Sequence, residues 1–167
     1  MNNQITNQII HKTYQTGDWT DYFFSMIPLI KFKSKDPNTK VGCIIVGEGK
    51  QILSTGYNSF PRGLNDDIPE RLERPEKYIW IEHAERNAIY NAVRSGICLL
   101  NSTIYMESIP CNDCARAIIQ SGIKTVVYNS NVNLLWNSSK YNDESLLKSV
   151  EMLLECGVEI IEMKKEM

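Results

Sequence analysis

Histidine is scarce in this chain: two in 167 residues, His11 and His83. Any metal site needing more than one imidazole is therefore hard to build, and cysteine must supply the remaining soft ligands. There is no apolar run long enough to cross a membrane. There is no excess of one charge either. Lysine and arginine total 18, aspartate and glutamate 20, for a net charge of −2. A protein that reads a polyanion carries a basic field, so the balance argues against DNA or RNA as partner. The first residues, Met1 to His11, are rich in Asn and Gln and lack a signal-peptide layout. Five cysteines, an odd count, do not suit a disulfide framework. The expected setting is the cytoplasm, and the expected organisation is one domain over residues 1–167, with 1–17 as a flexible N-terminal segment.

Against those absences stand two short motifs, His83-Ala84-Glu85 and Pro110-Cys111-Asn112-Asp113-Cys114. They supply one imidazole, two thiols and a carboxylate. Structural zinc sites are closed by four protein ligands, and three ligands leave a position for water. His83, Cys111 and Cys114 therefore read as a catalytic zinc set, with one zinc ion per chain, and Glu85 as the general acid/base beside it. Each half is weak alone. H-A-E occurs by chance, and C-x-x-C also serves redox and structural zinc sites. The conjunction H-x-E with P-C-x-x-C is the pattern of zinc deaminases that act on cytosine or adenine. Cys43, Cys98 and Cys156 lie in or beside apolar stretches and read as packing residues. His11, in a polar stretch, reads as a surface residue.

Periodicity predicts a helix over Trp19–Phe32, with Pro28 as a potential kink. It predicts a hairpin from Val41–Val46 and Gln51–Tyr57 about Gly47–Lys50. Residues 58–79 read as a long loop with short helical pieces. Beyond it come a helix Ala84–Arg94 ending near Gly96, a strand Thr103–Met106, a helix Ala115–Gln120 and a strand Lys124–Tyr128. A helix Asp143–Cys156 and a strand Val158–Ile161 complete the pattern. Strands alternating with helices point to α/β layers on one mixed sheet. Both metal motifs fall at helix starts, where free N–H groups and the helix dipole favour anions such as thiolates.

With these residues in place, the chain resembles the deoxycytidylate (dCMP) deaminases of the cytidine-deaminase-like zinc superfamily. The similarity extends over roughly Trp19–Tyr128. It rests on Trp19-Thr20-Asp21-Tyr22-Phe23, on Ser34-Lys35-Asp36-Pro37-Asn38 followed by Lys40-Val41-Gly42, on Gly56-Tyr57-Asn58-Ser59-Phe60-Pro61-Arg62-Gly63, and on His83-Ala84-Glu85-Arg86-Asn87-Ala88-Ile89. The resemblance implies a three-layer α/β/α sandwich with a central mixed five-stranded sheet. It implies hydrolysis of dCMP to dUMP and ammonia, in supply of thymidylate synthesis, by a cytoplasmic homo-oligomer of hexameric or smaller size. Other substrates remain open: dCTP, a modified cytidylate, the free nucleoside, or adenosine in tRNA, the last disfavoured by the charge balance. So does a catalytically silent, zinc-bound regulatory subunit.

The resemblance also implies that Asn38 and Asn58 contact the sugar–phosphate and that Tyr128 and Ala84 line the pocket. Lys40 and Arg62 become candidates for the phosphate charge, with a solvated surface cation as the alternative for each. Relatives regulated by dCTP and dTTP carry glycine where this chain has Ser59. Serine restricts the positive φ and close approach that glycine allows, which puts control by these effectors in doubt. Residues 64–82 hold no Cys or His for a second zinc. They are rich in mixed charge instead, suiting a solvated loop, a lid or a subunit contact. Trp80 and Trp136 read as packing residues or base-stacking groups.

Overall fold

The computed structural model describes residue 5, residues 7–129 and residues 143–166. Trp136 lies outside the described residues. The elements run β1 (Ile10–Tyr14), α1 (Trp19–Lys31), β2 (Gly42–Val46), β3 (Ile52–Tyr57), a 3₁₀ turn (Pro69–Leu72), α2 (Lys77–Trp80) and α3 (Ala84–Arg94). They continue with β4 (Thr103–Met106), α4 (Asn112–Gln120), β5 (Thr125–Asn129), α5 (Asp143–Glu155) and β6 (Glu159–Lys165). The strands form one mixed sheet in the order β1-β6-β5-β4-β2-β3. β4, β5, β6 and β1 run parallel, while β2 is antiparallel to both β4 and β3.

The sheet has six strands where five are implied by the resemblance. The added one is β1, inside the segment expected to be flexible. Residues 10–14 instead pair in parallel with Ile161–Lys165. Their sequence, Ile-His-Lys-Thr-Tyr, has apolar residues only at its ends, so no alternation marks it as a strand. Polar side chains suit an edge strand, which is exposed to solvent. His11 lies on this edge, largely exposed, with Nδ1 2.6 Å from Glu162.

Successive side chains of a strand face opposite ways, and here both faces are covered. Ile44 and Val46 of β2, Tyr105 of β4 and Val127 of β5 meet Phe23, Phe24 and Ile27 of α1. Cys43, Ile45, Ile104, Met106 and Val126 face the other side, against Ala84, Ala88 and Ala92 of α3, Ala115 and Ile118 of α4, and Leu146, Val150 and Leu153 of α5. This is the layered α/β/α arrangement. Double coverage explains the unbroken apolar reading of β2, all five residues of which are buried. α1 keeps Pro28 inside it, and the Phe32 N–H donates to the Pro28 carbonyl at 3.2 Å.

α3 lies unusually close to β3. A Cβ on Gly56 would sit 2.1 Å from the Ala84 carbonyl oxygen and 2.5 Å from the Ala88 nitrogen. Three side-chain bonds hold the contact. Asn87 Nδ2 donates to the Tyr57 carbonyl at 2.9 Å, Asn91 Nδ2 to the Thr55 carbonyl at 2.8 Å, and Ser54 Oγ to the Ala88 carbonyl at 2.7 Å. Gly56→Ala should therefore push the metal-bearing helix off the sheet. Overpacking of this kind costs about 1–3 kcal/mol, occasionally more, and backbone as the clashing partner favours the upper end. Urea unfolding with and without zinc checks this: the variant should lose stability in both, and lose zinc affinity as well.

Candidate active site

His83 is the residue before α3, in extended conformation (φ −72°, ψ 155°), and Cys111 takes the same place before α4 (φ −70°, ψ 169°). Cys114 lies in the first turn of α4. α4 begins at Asn112, three residues before the expected start, because the polar Asn112 and Asp113 occupy a helical first turn that periodicity does not mark. The two helices bring the three residues together. His83 Nδ1 lies 3.4 Å from Cys111 Sγ and 3.5 Å from Cys114 Sγ, and the three ligand atoms all lie within 4.8 Å of one another.

These spacings test the fit of a metal. Zn–S of about 2.3 Å and Zn–N of about 2.0 Å at a tetrahedral angle place nitrogen and sulfur about 3.5 Å apart. The observed distances meet that value, and two thiolates with an imidazole suit zinc by softness. The hydrogen bond from Cys114, and then His83, holds Cys111 at a pKa of about 4 against the cost of burial, whereas Cys114 is pushed far up by its bond to Cys111 and by burial. His83 is raised, chiefly by its contact with Cys111. Metal binding requires thiolates, so it displaces thiol protons.

Glu85, in the first turn of α3, is buried beside this set. Burial raises its pKa above the ordinary carboxylate value, while His83 opposes the rise. A carboxyl group whose proton affinity is raised in this way is suited to hold as well as release a proton. Arg86 ties the two helices together. Its Nε donates to Glu82 at 2.5 Å, and its guanidinium reaches Asp113 at 3.3 Å. Glu82 in turn accepts the His83 N–H at 3.0 Å.

The other expected site residues are placed unevenly. Ala84 is fully buried, with its carbonyl against Gly56. Tyr128 is buried on the same face of the sheet as the metal helices. Its hydroxyl is pushed up by burial and by Glu162, to which it is hydrogen-bonded. Asn38 and Lys40 are exposed. Asn38 lines an open groove of 690 Å³ with Pro37, Pro69, Leu72, Glu73 and Arg74. Lys40 lines a second, of 560 Å³, that shares Pro69 and Leu72, and its Nζ lies over the Phe32 ring. None of the metal set or Glu85 lines either groove. Arg62 is exposed in the turn after Phe60.

Asn58 is buried, and its amide is committed to backbone. Oδ1 accepts the Val41 N–H at 2.8 Å, and Nδ2 donates to the Thr39 carbonyl at 2.8 Å. It braces the 38–41 loop.

A family profile described as the cytidine and deoxycytidylate deaminase zinc-binding region matches residues 17–130. The chain belongs to this family. It is 36% identical over 160 residues to a probable deoxycytidylate deaminase of Drosophila melanogaster, an alignment spanning 89% of this chain and 74% of the relative. It is 35% identical over 141 residues to the deoxycytidylate deaminase of Homo sapiens, spanning 81% and 74%. Among solved structures, the dCMP deaminase of cyanophage S-TIM5 in apo form superposes with a TM-score of 0.65 at 26% identity, over 86% of this chain and 96% of that one. Zinc is therefore the cofactor, and His83, Cys111 and Cys114 are placed where they could hold it.

Several polar residues near the site escape sequence reading. Asp36 and Lys77 form a buried ion pair, although each reads locally as one loop charge among many. Ser59 does not adopt positive φ; among described non-glycine residues only Lys50 and Asn101 do. Its backbone pairs with Glu82 at 3.1 and 2.9 Å, and its Oγ accepts from Asn87 Nδ2 at 3.1 Å. Trp80 stacks under the Arg71 guanidinium at 4.0 Å, so it serves packing. Lys35 is paired with Asp66 and Asp67.

Proposed function

We propose that this protein hydrolyses dCMP to dUMP and ammonia. The observation that carries the reading is the convergence of His83, Cys111 and Cys114 on a zinc-sized position with the buried Glu85 beside it, in a chain over a third identical to deoxycytidylate deaminases.

Zinc, when bound, supplies Lewis-acid polarisation and a water activated near neutral pH. The protein's own residues supply the rest. Glu85 takes the proton that this water loses and delivers it to ring nitrogen N3, which makes C4 electrophilic. As the water oxygen bonds to C4, Glu85 takes that oxygen's remaining proton and carries it to the 4-amino group, so the C4–N4 bond breaks, ammonia leaves and C4 becomes the carbonyl of dUMP. Burial around Glu85 raises its proton affinity, which suits a carboxyl group that both takes up and delivers protons.

At the other end of the nucleotide, Asn38 on the exposed 36–41 loop meets the sugar, and Asn58 acts by holding that loop. Lys40 and Arg62 supply positive charge for the phosphate, Arg62 with a bidentate fork. Ala84 and Tyr128 bound the base. We take 1–167 as one deaminase domain working in the cytoplasm, a reading supported by cysteines that are all free, Cys98 and Cys156 being exposed as well. A homo-oligomer is supported by large apolar side chains left exposed, with Leu29, Phe32 and Ile79 each at 76%.

Ammonia release from dCMP, dCTP, CMP and deoxycytidine, each with and without added dCTP or dTTP as effector, tests the reading. Turnover should be confined to dCMP. Ser59 predicts rates that do not respond to dCTP or dTTP, because its backbone lacks the left-handed conformation and its hydroxyl is tied to α3. Turnover of dCTP or deoxycytidine in preference to dCMP would reassign the substrate.

A further inference from the structure

Lys77 opens the short helix α2, six residues before the zinc ligand His83. Its Nζ lies 2.7 Å from Asp36 Oδ2 and 3.0 Å from Oδ1, and both side chains are 5% exposed. Asp36 is itself the anchor of the 36–41 loop: Oδ1 accepts the N–H groups of Asn38 at 2.9 Å and Thr39 at 3.0 Å. Asn58 Nδ2 approaches Asp36 Oδ2 at 3.5 Å from the third side. Burial raises the Asp36 carboxyl, yet the bonds from Lys77 and the two amides outweigh it and leave it below its ordinary value.

A buried ion pair is a weak device for stability. Its desolvation cost rivals its attraction, and apolar replacements are often neutral or better. Its value here is directional. On one side Asp36 fixes the backbone from which Asn38 projects. On the other, the Lys77 carbonyl accepts the Ile81 N–H at 2.9 Å, and Glu82 pairs with Ser59 before the chain enters the metal helix.

We propose that Lys77 is a positioning residue: through Asp36 it locks the nucleotide-facing loop to the segment that carries His83 and Glu85, setting the span between sugar and reacting base. The inference rests on the dCMP reading above and names the residue that gives that site its reach.

The test uses Lys77→Met, Lys77→Arg and the double variant Asp36→Asn/Lys77→Met. The measurements are kcat and KM for dCMP, bound zinc, and hydrogen exchange at the Asn38 and Thr39 amides. Lys77→Met should raise KM about tenfold or more with kcat changed less than about threefold, leave zinc content unchanged, and speed exchange at both amides. Lys77→Arg should restore most of the KM. Lys77→Met alone strands a buried carboxylate and can unfold. The double variant strands none, and the amide oxygen that replaces the carboxylate can still accept the turn N–H groups, so it should fold and still show the raised KM. A folded double variant with wild-type KM and wild-type amide protection would overturn the proposal. If wild-type protein fails to turn over dCMP, the substrate reading falls, and exchange at Asn38 and Thr39 decides the tether alone.

Discussion

Glu85→Gln should keep its zinc and lose about 10³–10⁴-fold in kcat. A positioned acid/base contributes about 10²–10⁴-fold, and the upper part of that range is expected because the proposed mechanism uses Glu85 twice, at N3 and at the departing amine. Glutamine has the same shape, so no cavity opens in a position that is 6% exposed. It cannot accept and return a proton. Glu85 is not in the group that could hold the metal, which is His83, Cys111 and Cys114. Metal analysis beside a rate assay checks both halves of the prediction. Glu85→Ala should behave alike in rate, with an added loss of stability from the buried void. A Glu85→Gln protein that keeps near-wild-type turnover would remove the carboxylate from the mechanism. One that loses turnover but keeps its biological role would point to a regulatory subunit.

Cys111→Ala and Cys114→Ala should lose both metal and activity. Zinc binding of about 10–16 kcal/mol over four ligands amounts to roughly 3 kcal/mol per ligand. Removing one thiolate therefore weakens the dissociation constant by at least about 10²-fold. Each variant keeps only one of the two nitrogen–sulfur spacings, 3.5 Å without Cys111 and 3.4 Å without Cys114, that together define the site. Because zinc binds the folded form, it adds stability by mass action. Wild-type Tm should rise on adding zinc, and the Tm of either alanine variant should not. Cys114 is fully buried in α4, so its alanine variant should also lose the larger share of metal-free stability. Titration with a competing chelator measures the affinity, and calorimetry the coupling. Tight zinc binding by Cys114→Ala would mean that the ligand set is other than the one described.

The legible parts of this molecule are those whose signal is local. Ala84–Arg94 and Thr103–Met106 occur with the boundaries that periodicity implies, because one is an alanine-faced amphipathic helix and the other a short β-branched and aromatic run. The metal set is legible because the C-x-x-C spacing and the helix starts act within one turn. Contacts decided by distant chain segments are not. β1 depends on pairing with β6, some 150 positions away, and its own residues carry no alternation. The Asp36–Lys77 pair spans 41 positions. The bonds of the Asn58 amide to Val41 and Thr39, 17 and 19 positions away, are likewise not legible in the local sequence. α4 starts early because its first turn is polar, and β6 extends to Lys165 because its outer residues pair with an edge strand.

Mass spectrometry of the product formed from dCMP in H₂¹⁸O tests the central claim most directly. Hydrolysis at C4 by an activated water predicts dUMP carrying one ¹⁸O atom, one ammonia released for each dUMP, and loss of both in the Glu85→Gln protein with its zinc intact. Zinc-loaded wild-type protein that yields no labelled dUMP would contradict it.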